Sequence, residues 1–431
     1  MNVLLVMPHP KPKNKSKASF LDKFHYPCLT LQQVAAITPK EHYVEIVDER
    51  FASIDFDKDY DVVGISSLTY NSLRGYEIAK IFRQKGIPVV FGGYHASLMP
   101  DEAKKHADSV VIGEAELSWP LVLDDISNGK LKPFYKADKN IDPDKIPPAR
   151  HDIGNNTIME AVQASRGCPT GCEFCAMNVV EGRIFRPRPV KNIIEEMKSI
   201  KSKTIFFADA SLTINPKFSK SLFKEMAKLN KNFHCFGNIN VLANDDEFLE
   251  LSYNAGVKRW YVGIESISQE SINEAGKGTN KVENYGKAIE KIKKHGMKVT
   301  GFFVFGLDHD GKDIFDRTLK AMYEWKLDMV SFSILTPYPG TRLFERFEKE
   351  GRITSYDWSR YAEDNVNFKP KLMSEDELRE GITKIASDFY SIKSSLIRSV
   401  VNNNFNPINS LVSLIENMSQ RSFYKREKLS I

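Results

Sequence analysis

Short apolar runs alternate with amphipathic stretches twice along the chain, and this pattern predicts two successive α/β units. In residues 1–130, five apolar runs of strand length are separated by helical patterns. The predicted strands span 3–7, 43–48, 61–66, 88–91 and 109–112. Apolar strands separated by helices are typical of a parallel sheet that is covered on both faces. We therefore expect a doubly wound parallel sheet in residues 1–130.

The second alternation covers residues 161–345. Its predicted strands span 161–167, 204–209, 234–239, 259–265, 299–306 and 329–335. The helices between them are predicted at 190–200, 218–229, 246–255, 282–294 and 314–325. Six strands with intervening helices indicate a partial (β/α)6 barrel, which is open and smaller than the eightfold form.

The remaining segments are a linker and a C-terminal extension. Residues 131–160 are rich in Pro, Lys and Asp, which predicts a linker between the two units. Residues 346–431 predict a small helical region. Within it, Ser374 followed by Glu377 is typical of a capped helix start.

Composition and charge exclude several classes of protein. The chain has 431 residues, of which 42% are hydrophobic and 27% charged, as in an ordinary globular protein. A net charge of +5 gives no case for a nucleic-acid binder. Every apolar run is shorter than the ~18–20 residues of a transmembrane helix, and the N-terminus resembles a strand and not a signal peptide. We therefore expect a cytoplasmic protein without a transmembrane segment.

Small and polar residues follow three predicted strands of the first sheet. Ligands of such sheets bind beyond the carboxyl ends of the strands, where small residues allow close approach to the backbone. Ordinary turn chemistry explains any one of these turns, whereas three at equivalent strand ends favour a ligand site. The candidate binding residues are Ser66, Ser67, Thr69, Gly92, Gly93, Gly113 and Glu114.

The cysteines are unevenly distributed, and three of the five fall within eight residues. An odd number in a chain of this kind argues against a disulfide framework. Cys168, Cys172 and Cys175 have the spacing Cys-x3-Cys-x2-Cys, directly after the first predicted barrel strand. A structural zinc site takes four ligands, and no fourth Cys or His lies nearby. The spacing leaves open a three-cysteine zinc site, a free-thiol loop, or a four-iron cluster with one open iron.

This spacing at the end of a first barrel strand resembles the signature of the radical S-adenosylmethionine superfamily. Later segments resemble the same family, at 206–209, 263–266, 303–306 and 337–341. The resemblance implies a 4Fe-4S cluster on the three cysteines, with S-adenosylmethionine on the open iron, and an electron donor such as flavodoxin or ferredoxin. It further implies that S-adenosylmethionine contacts Phe174, Asp209, Glu265, Ser266 and Gly306.

The N-terminal unit is similar to the cobalamin-binding domain that precedes many of these barrels, in a layout like that of the hopanoid methyltransferases. The stretches that carry this similarity are 27–39, 61–64, 92–95 and 113–116. One motif departs from the pattern. Many such domains have Asp-x-His-x-x-Gly, but here Asp48 is followed by Arg50, and a guanidinium cannot donate a lone pair to cobalt.

The leading functional hypothesis is an enzyme that generates a 5′-deoxyadenosyl radical and, with cobalamin, transfers a methyl group to an unactivated carbon. One alternative is radical cyclisation, rearrangement or carbon–carbon coupling without methyl transfer. Another is a non-catalytic metal- or corrinoid-binding protein. The sequence predicts a small-molecule or lipid-like substrate and assigns no catalytic residue.

Overall fold

The computed structural model describes residues 1–11, 28–154 and 157–424. Three sets of sequence predictions extend beyond these residues. They are Pro27, which begins the stretch 27–39 that resembles a cobalamin-binding domain, residues 155–156 of the predicted linker, and residues 425–431 of the predicted C-terminal region.

The first unit contains a six-stranded sheet in which every neighbouring pair is parallel. The strand order is β2-β1-β3-β4-β5-β6, as in doubly wound folds. The strands are β1 (Asn2–Met7), β2 (Tyr43–Asp48), β3 (Val62–Ser66), β4 (Val89–Gly92), β5 (Ser109–Ile112) and β6 (Phe134–Lys136). The helices are α1 (Leu29–Ala36), α2 (Ser72–Gln84), α3 (Gly93–Leu98), α4 (Pro100–His106) and α5 (Trp119–Ser127).

Strand β6 comes from the segment that was predicted as a linker. It pairs with β5 and places Tyr135 in the core between exposed neighbours. Three residues are too few to give a recognisable alternation in the sequence. The chain after β6 also packs closely, because Ile141, Ile146 and Ala149 are buried. The domain boundaries at 130 and 160 stay predictions.

The second unit is also a six-stranded parallel sheet, in the order β14-β13-β12-β11-β10-β7. Within the described residues its two edge strands, β7 and β14, do not pair with each other, which confirms a partial, open (β/α)6 barrel. The strands are β7 (Met159–Val162), β10 (Thr204–Phe207), β11 (Asn232–Gly237), β12 (Val257–Glu265), β13 (Lys298–Phe305) and β14 (Met329–Ile334). A two-stranded antiparallel hairpin of β8 (Ser165–Arg166) and β9 (Arg186–Pro187) lies beside it.

Helices alternate with the strands of this unit. They are α6 (Met177–Val180), α7 (Val190–Ser199), α8 (Pro216–Met226), α9 (Ile239–Asn244), α10 (Asp246–Asn254), α11 (Gln269–Glu274), α12 (Tyr285–Lys294) and α13 (Ile314–Glu324). The C-terminal helices are α14 (Arg342–Lys349), α15 (Glu375–Phe389), α16 (Ile392–Val401) and α17 (Pro407–Phe423). The predicted cap of α15 is present: Glu377 N–H donates to Ser374 Oγ at 3.2 Å, and Ser374 N–H donates to the Glu377 carboxylate at 2.8 Å. None of the described helices is long and apolar enough to cross a membrane.

The carboxyl ends of three predicted strands are wrong by two residues or more. Strand β10 ends at Phe207 and not at 209, and the other two ends have a local polar cause. The first barrel strand does not run from 161 to 167 but breaks after Val162. The buried Asp209 carboxylate accepts the Ala164 N–H at 2.9 Å and the Ser165 hydroxyl at 2.6 Å, which turns the chain into the hairpin. Strand β11 stops at Gly237 because the Asn238 side chain accepts the Asn240 N–H and caps α9.

Candidate functional site

A cavity of about 840 Å³ opens at the carboxyl ends of the barrel strands. Barrel folds of this type carry their chemistry at this end. The cysteine loop forms part of the wall, and the strand ends form the rest. The cysteine-loop residues that line it are Cys168, Pro169, Thr170, Cys172, Phe174 and Cys175.

Two glycines let the cysteine loop turn tightly around the cavity. Gly167 and Gly171 have φ angles of +79° and +69°, which side-chain-bearing residues rarely adopt. A Cβ atom at Gly167 would collide with the carbonyl oxygen of Ile184. The Gly171 carbonyl accepts a hydrogen bond from Arg342 of α14, which fixes the loop to the C-terminal region. The loop is therefore held in place on both sides of Cys168.

Buried thiols and one ammonium group set the electrostatics of this wall. Burial raises the pKa of Cys172 to about 12, and the nearby Lys277 ammonium opposes that rise. Burial also raises the pKa of Cys175. Burial alone would lower the pKa of Lys277, but the Glu265 carboxylate and Cys172 raise it above its ordinary value. Lys277 therefore stays positively charged beside the cysteines, where it would stabilise their thiolate forms.

The donor set fits an iron–sulfur cluster better than a single metal ion. In the part of the chain that the structure describes, no three His, Cys, Asp or Glu side chains converge as the ligands of one ion do. A four-iron cluster is a larger body whose thiolates bind separate irons, so its ligands need not converge on a point. Three free thiols on one cavity wall, with the Lys277 ammonium lining the same cavity, match that requirement.

Glu265 lies at a strained position at the end of β12. Its φ angle is +63°, and the pairing of β12 with β13 shifts register between Gly263 and Glu265. Such strain is uncommon for a residue with a Cβ atom and concentrates at functional sites. The Glu265 carboxylate lines the cavity and forms an ion pair with Lys277, which also donates to the Gly263 carbonyl at 3.1 Å.

Lys277 is a cavity residue that was not predicted from the sequence. It lies in the loop after α11, far from any predicted strand end, and the surrounding Gly-Lys-Gly-Thr-Asn stretch indicates only a turn. Only the fold shows that this loop returns to the cavity beside Glu265.

Of the five residues predicted to contact S-adenosylmethionine, Phe174 and Glu265 line the cavity. The other three do not line it. Asp209 holds the start of the cysteine loop, and burial raises its pKa to about 7. Ser266 accepts the Ser268 N–H at 3.1 Å, and Gly306 donates its N–H to Asp310 at 3.1 Å. These three residues lie one layer behind the wall, and their role in binding stays a prediction.

Aromatic rings fill the barrel side of the cavity. Phe236, Tyr261 and Phe302 point into it from three adjacent strands, with ring centroids 5.4 to 5.9 Å apart. Polar groups occur at another part of the wall, where Ser333 donates to Glu363 at 3.0 Å and Tyr338 donates to it at 3.2 Å. The cavity can therefore take a large ligand with a mainly apolar surface and a polar margin.

The predicted binding residues of the first sheet lie at or just after the carboxyl ends of β3, β4 and β5. A Cβ atom at Gly93, whose φ is +86°, would lie 2.7 Å from Ser66 Oγ and 2.9 Å from the Ser67 carbonyl. Only glycine allows this approach of α3 to the end of β3. Thr69 is buried in a 3-10 turn just after β3. Gly92 and Gly113 lie at the ends of β4 and β5.

Two observations at this edge fit a large bound cofactor such as the predicted cobalamin. Ser67 Oγ, at the end of β3, is buried without a hydrogen-bond partner in the protein, and such a group calls for a ligand or water. A Cβ atom at Gly113 would meet nothing within 4 Å, so the space beyond β5 is open.

Arg50 confirms the departure from the histidine motif. Its guanidinium binds the buried Asp48 carboxylate, with Nε at 3.0 Å and Nη2 at 2.5 Å. His95 is fully buried and its Nε2 lies 3.0 Å from the Tyr76 hydroxyl. Neither residue offers an imidazole to a cobalt ion at the sheet edge.

Ion pairs join the edge of the first sheet to the hairpin that carries the cysteine loop. Glu114, which was predicted as a cofactor ligand, accepts from Arg186 Nη2 at 2.5 Å and lies 3.4 Å from Arg166. Glu116 pairs with Arg166 at 2.5 Å. Glu181 accepts from the Tyr94 hydroxyl at 2.9 Å and from the Gly167 N–H at 3.1 Å. The predicted role of Glu114 in cofactor binding stays a prediction.

Comparison with known protein families matches three segments of the chain. Residues 33–123 match the B12 binding domain, and residues 162–347 match the radical SAM superfamily. Residues 341–410 match a domain of unknown function, DUF4070.

Two similar proteins come from Chlorobaculum tepidum. Bacteriochlorophyllide d C-12(1)-methyltransferase is 32% identical over 84% of this chain and 82% of its own length. Bacteriochlorophyllide d C-8(2)-methyltransferase is 33% identical over 87% of this chain and 88% of its own length. Among solved structures, the radical S-adenosylmethionine methyltransferase TsrM from Kitasatospora setae, with cobalamin and a [4Fe-4S] cluster bound, superposes with a TM-score of 0.70. It shares the fold at 14% identity, over 98% of this chain and 99% of that one.

Proposed function

Because this chain belongs to the radical S-adenosylmethionine enzymes that carry a B12-binding domain, we propose that it methylates a carbon of a tetrapyrrole-like substrate. It is an enzyme whose cofactors are a 4Fe-4S cluster, S-adenosylmethionine and cobalamin. The observation that carries the substrate proposal is the single cavity of about 840 Å³ that joins three thiols to an aromatic wall.

Cys168, Cys172 and Cys175 would hold the cluster, and the edge formed by Ser66, Ser67 and Gly93 would hold cobalamin. When bound, the cluster and S-adenosylmethionine supply a carbon radical, and cobalamin supplies the methyl group. Lys277 places a positive charge beside the thiolates and orients the Glu265 carboxylate toward the cavity.

The substrate class is supported by size, polarity and similarity. A flat macrocycle needs a large apolar surface, which Phe236, Tyr261 and Phe302 provide, and stacking favours such rings. Its polar substituents need partners, which Ser333 and Glu363 provide at another part of the wall. The two similar proteins named above act on bacteriochlorophyllides.

The aromatic side also protects the chemistry. A carbon radical is quenched by almost any nearby molecule, so the reacting site must exclude water. We further propose that a flavodoxin or ferredoxin reduces the cluster in the cytoplasm. Thiols that are all free are typical of a reducing compartment.

A label-transfer experiment tests the proposal. The anaerobically reconstituted enzyme is given S-adenosylmethionine with an isotopically labelled methyl group, a reductant, cobalamin and bacteriochlorophyllide d. We expect the label on the macrocycle together with 5′-deoxyadenosine. If 5′-deoxyadenosine forms and the macrocycle is altered without label, the chemistry is a cyclisation or rearrangement. If the macrocycle is unchanged while a non-tetrapyrrole substrate is methylated, the substrate class is wrong.

A further inference from the structure

Helices α16 and α17 have their polar and apolar faces reversed relative to an ordinary surface helix pair. An ordinary surface helix turns its apolar stripe toward the core. Here the residues turned toward the protein are small, polar or charged. They are Ser395, Arg398, Ser399, Ser413 and Asn417, each at most 5% exposed.

The inner face is polar because it satisfies groups at the start of the barrel strands. Arg398 donates to the carbonyls of Asp328 and Phe389 and to the Asn417 side chain, at 2.7 to 3.1 Å. Glu416 forms ion pairs with Arg259 at 2.7 Å and with Lys298 at 3.0 Å. This docking fixes the rotation of both helices, so the apolar side chains are left facing outward.

The outer face forms an apolar surface that the described part of the chain does not cover. Leu396 and Ile397 on α16, with Leu411, Val412 and Ile415 on α17, are 45 to 60% exposed. At the turn between the helices, Phe405 and Ile408 are about three-quarters exposed, at 75% and 74%. Phe405 also has a φ angle of +60°, which is unfavourable for an aromatic residue that gains no packing from it. A continuous exposed apolar surface of this kind marks an interaction site.

We propose that this helix pair docks the enzyme onto an anionic lipid surface. The outer face would enter the boundary between headgroups and acyl chains, and the uncharged Asn402, Asn404 and Asn406 of the turn suit the headgroup layer. The pair overlaps the segment that matches a domain of unknown function, residues 341–410. Helix α16 and the first four residues of α17 lie within that segment, so the proposal assigns it a role.

Charge distinguishes a lipid surface from a second copy of the chain. The only charged residue among the exposed positions from 392 to 415 is Lys393. The sequence after α17 adds Lys425, Arg426 and Lys428 against one acidic residue, Glu427. An anionic membrane attracts Lys393 on this face and the net positive charge of residues 425–428, whereas a second copy of the chain carries the same charges and is not attracted by them.

Vesicle sedimentation of the full-length enzyme tests the proposal. We expect binding to phosphatidylglycerol–phosphatidylcholine vesicles that weakens with salt, and much weaker binding to pure phosphatidylcholine. Leu411→Glu puts a charge on the outer face and should lower the partition coefficient about tenfold or more. Leu121→Glu on α5 is the matched control, because Leu121 is 58% exposed and Leu411 60%. The control should bind like the wild type.

Folding of each variant is checked by circular dichroism and thermal unfolding, so that lost binding cannot come from misfolding. The proposal is overturned if the wild type binds no vesicle, binds neutral vesicles equally well, or loses nothing in Leu411→Glu. It is also overturned, in favour of a second copy, if the wild type is a dimer without vesicle affinity and Leu411→Glu makes it monomeric.

Discussion

At the scale of single residues, loss of one of the three loop cysteines is expected to remove the cluster without unfolding the protein. Replacing Cys172 with Ala should abolish cluster incorporation and S-adenosylmethionine cleavage while the protein stays folded, because the thiol lines a cavity and not a core. Iron content after anaerobic reconstitution, with circular dichroism alongside, measures this.

Cys235→Ala is the matched control for that substitution. Cys235 is buried in the hydrophobic core of the barrel and is not part of the cavity wall. Its removal should cost folding stability, as other small core cavities do, and leave iron content unchanged. Full iron retention in Cys172→Ala would contradict the ligand assignment.

Lys277 carries a second prediction at this scale. Replacing it with Met leaves the Glu265 carboxylate without its cation in a mostly buried position, and breaking such a pair is costly. We expect the dissociation constant of S-adenosylmethionine to rise about tenfold or more, measured by calorimetry on the reconstituted enzyme. Lys294→Met, which breaks an exposed pair with Glu290, is the control. Equal affinities in the two variants would show that the Lys277 pair plays no part in binding.

The residues of the site differ in how far sequence could predict them. The cysteines and Phe174 are neighbours in the chain, so their spacing already places them on one loop. Glu265 was predicted because residues 263–266 resemble a segment of the family. Lys277 and Tyr338 reach the same cavity from loops whose paths depend on packing, and Asp209 turned inward because it satisfies two groups of the loop start.

At the scale of elements, the β8–β9 hairpin is the part that joins the two sheets. Its Arg166 and Arg186 are tied to Glu114 and Glu116 of the first sheet, and the cysteine loop spans the distance between its strands. The first barrel strand was predicted too long, at 161–167. The residues on both sides of the break after Val162 have the pattern of a strand, so the sequence does not show the break. The Asp209 contacts with Ala164 and Ser165 lie at this break and turn the chain from β7 into the hairpin.

This connection predicts that Glu114 controls cluster stability from outside the barrel. Glu114→Gln removes the charge that Arg186 and Arg166 share, so the hairpin and its loop should open more often. We expect faster loss of iron to a chelator than in the wild type. Glu77→Gln, which weakens an exposed pair with Arg74, should lose iron at the wild-type rate. If both variants match the wild type, the ion pairs do not hold the loop.

At the scale of the whole molecule, the connection between the two units is a packed segment with its own buried charges. His151 lies 3.3 Å from the Glu160 carboxylate and 3.0 Å from that of Glu196, and Glu196 also accepts the Ala149 N–H at 3.2 Å. The sequence predicted both α/β layers because their periodicities are strong. From the sequence, this connection could be described only as a polar linker. A buried segment whose charges are paired has the same composition as an exposed polar segment.

The pH dependence of stability follows from His151. Burial alone would lower its pKa, but hydrogen bonds to Glu160 and Glu196 raise it from 6.5 to about 9. A raised pKa in the folded state means that the charged histidine stabilises the fold in full below about pH 6.5, and that this contribution is lost as the pH rises through 9. It amounts to at most about 3 kcal/mol. The difference in Tm between the wild type and His151→Gln should therefore be largest below pH 6.5 and shrink toward pH 9 and above. A difference that stays constant across this range would mean that the histidine is neutral and serves only as a hydrogen-bonding group between the two units.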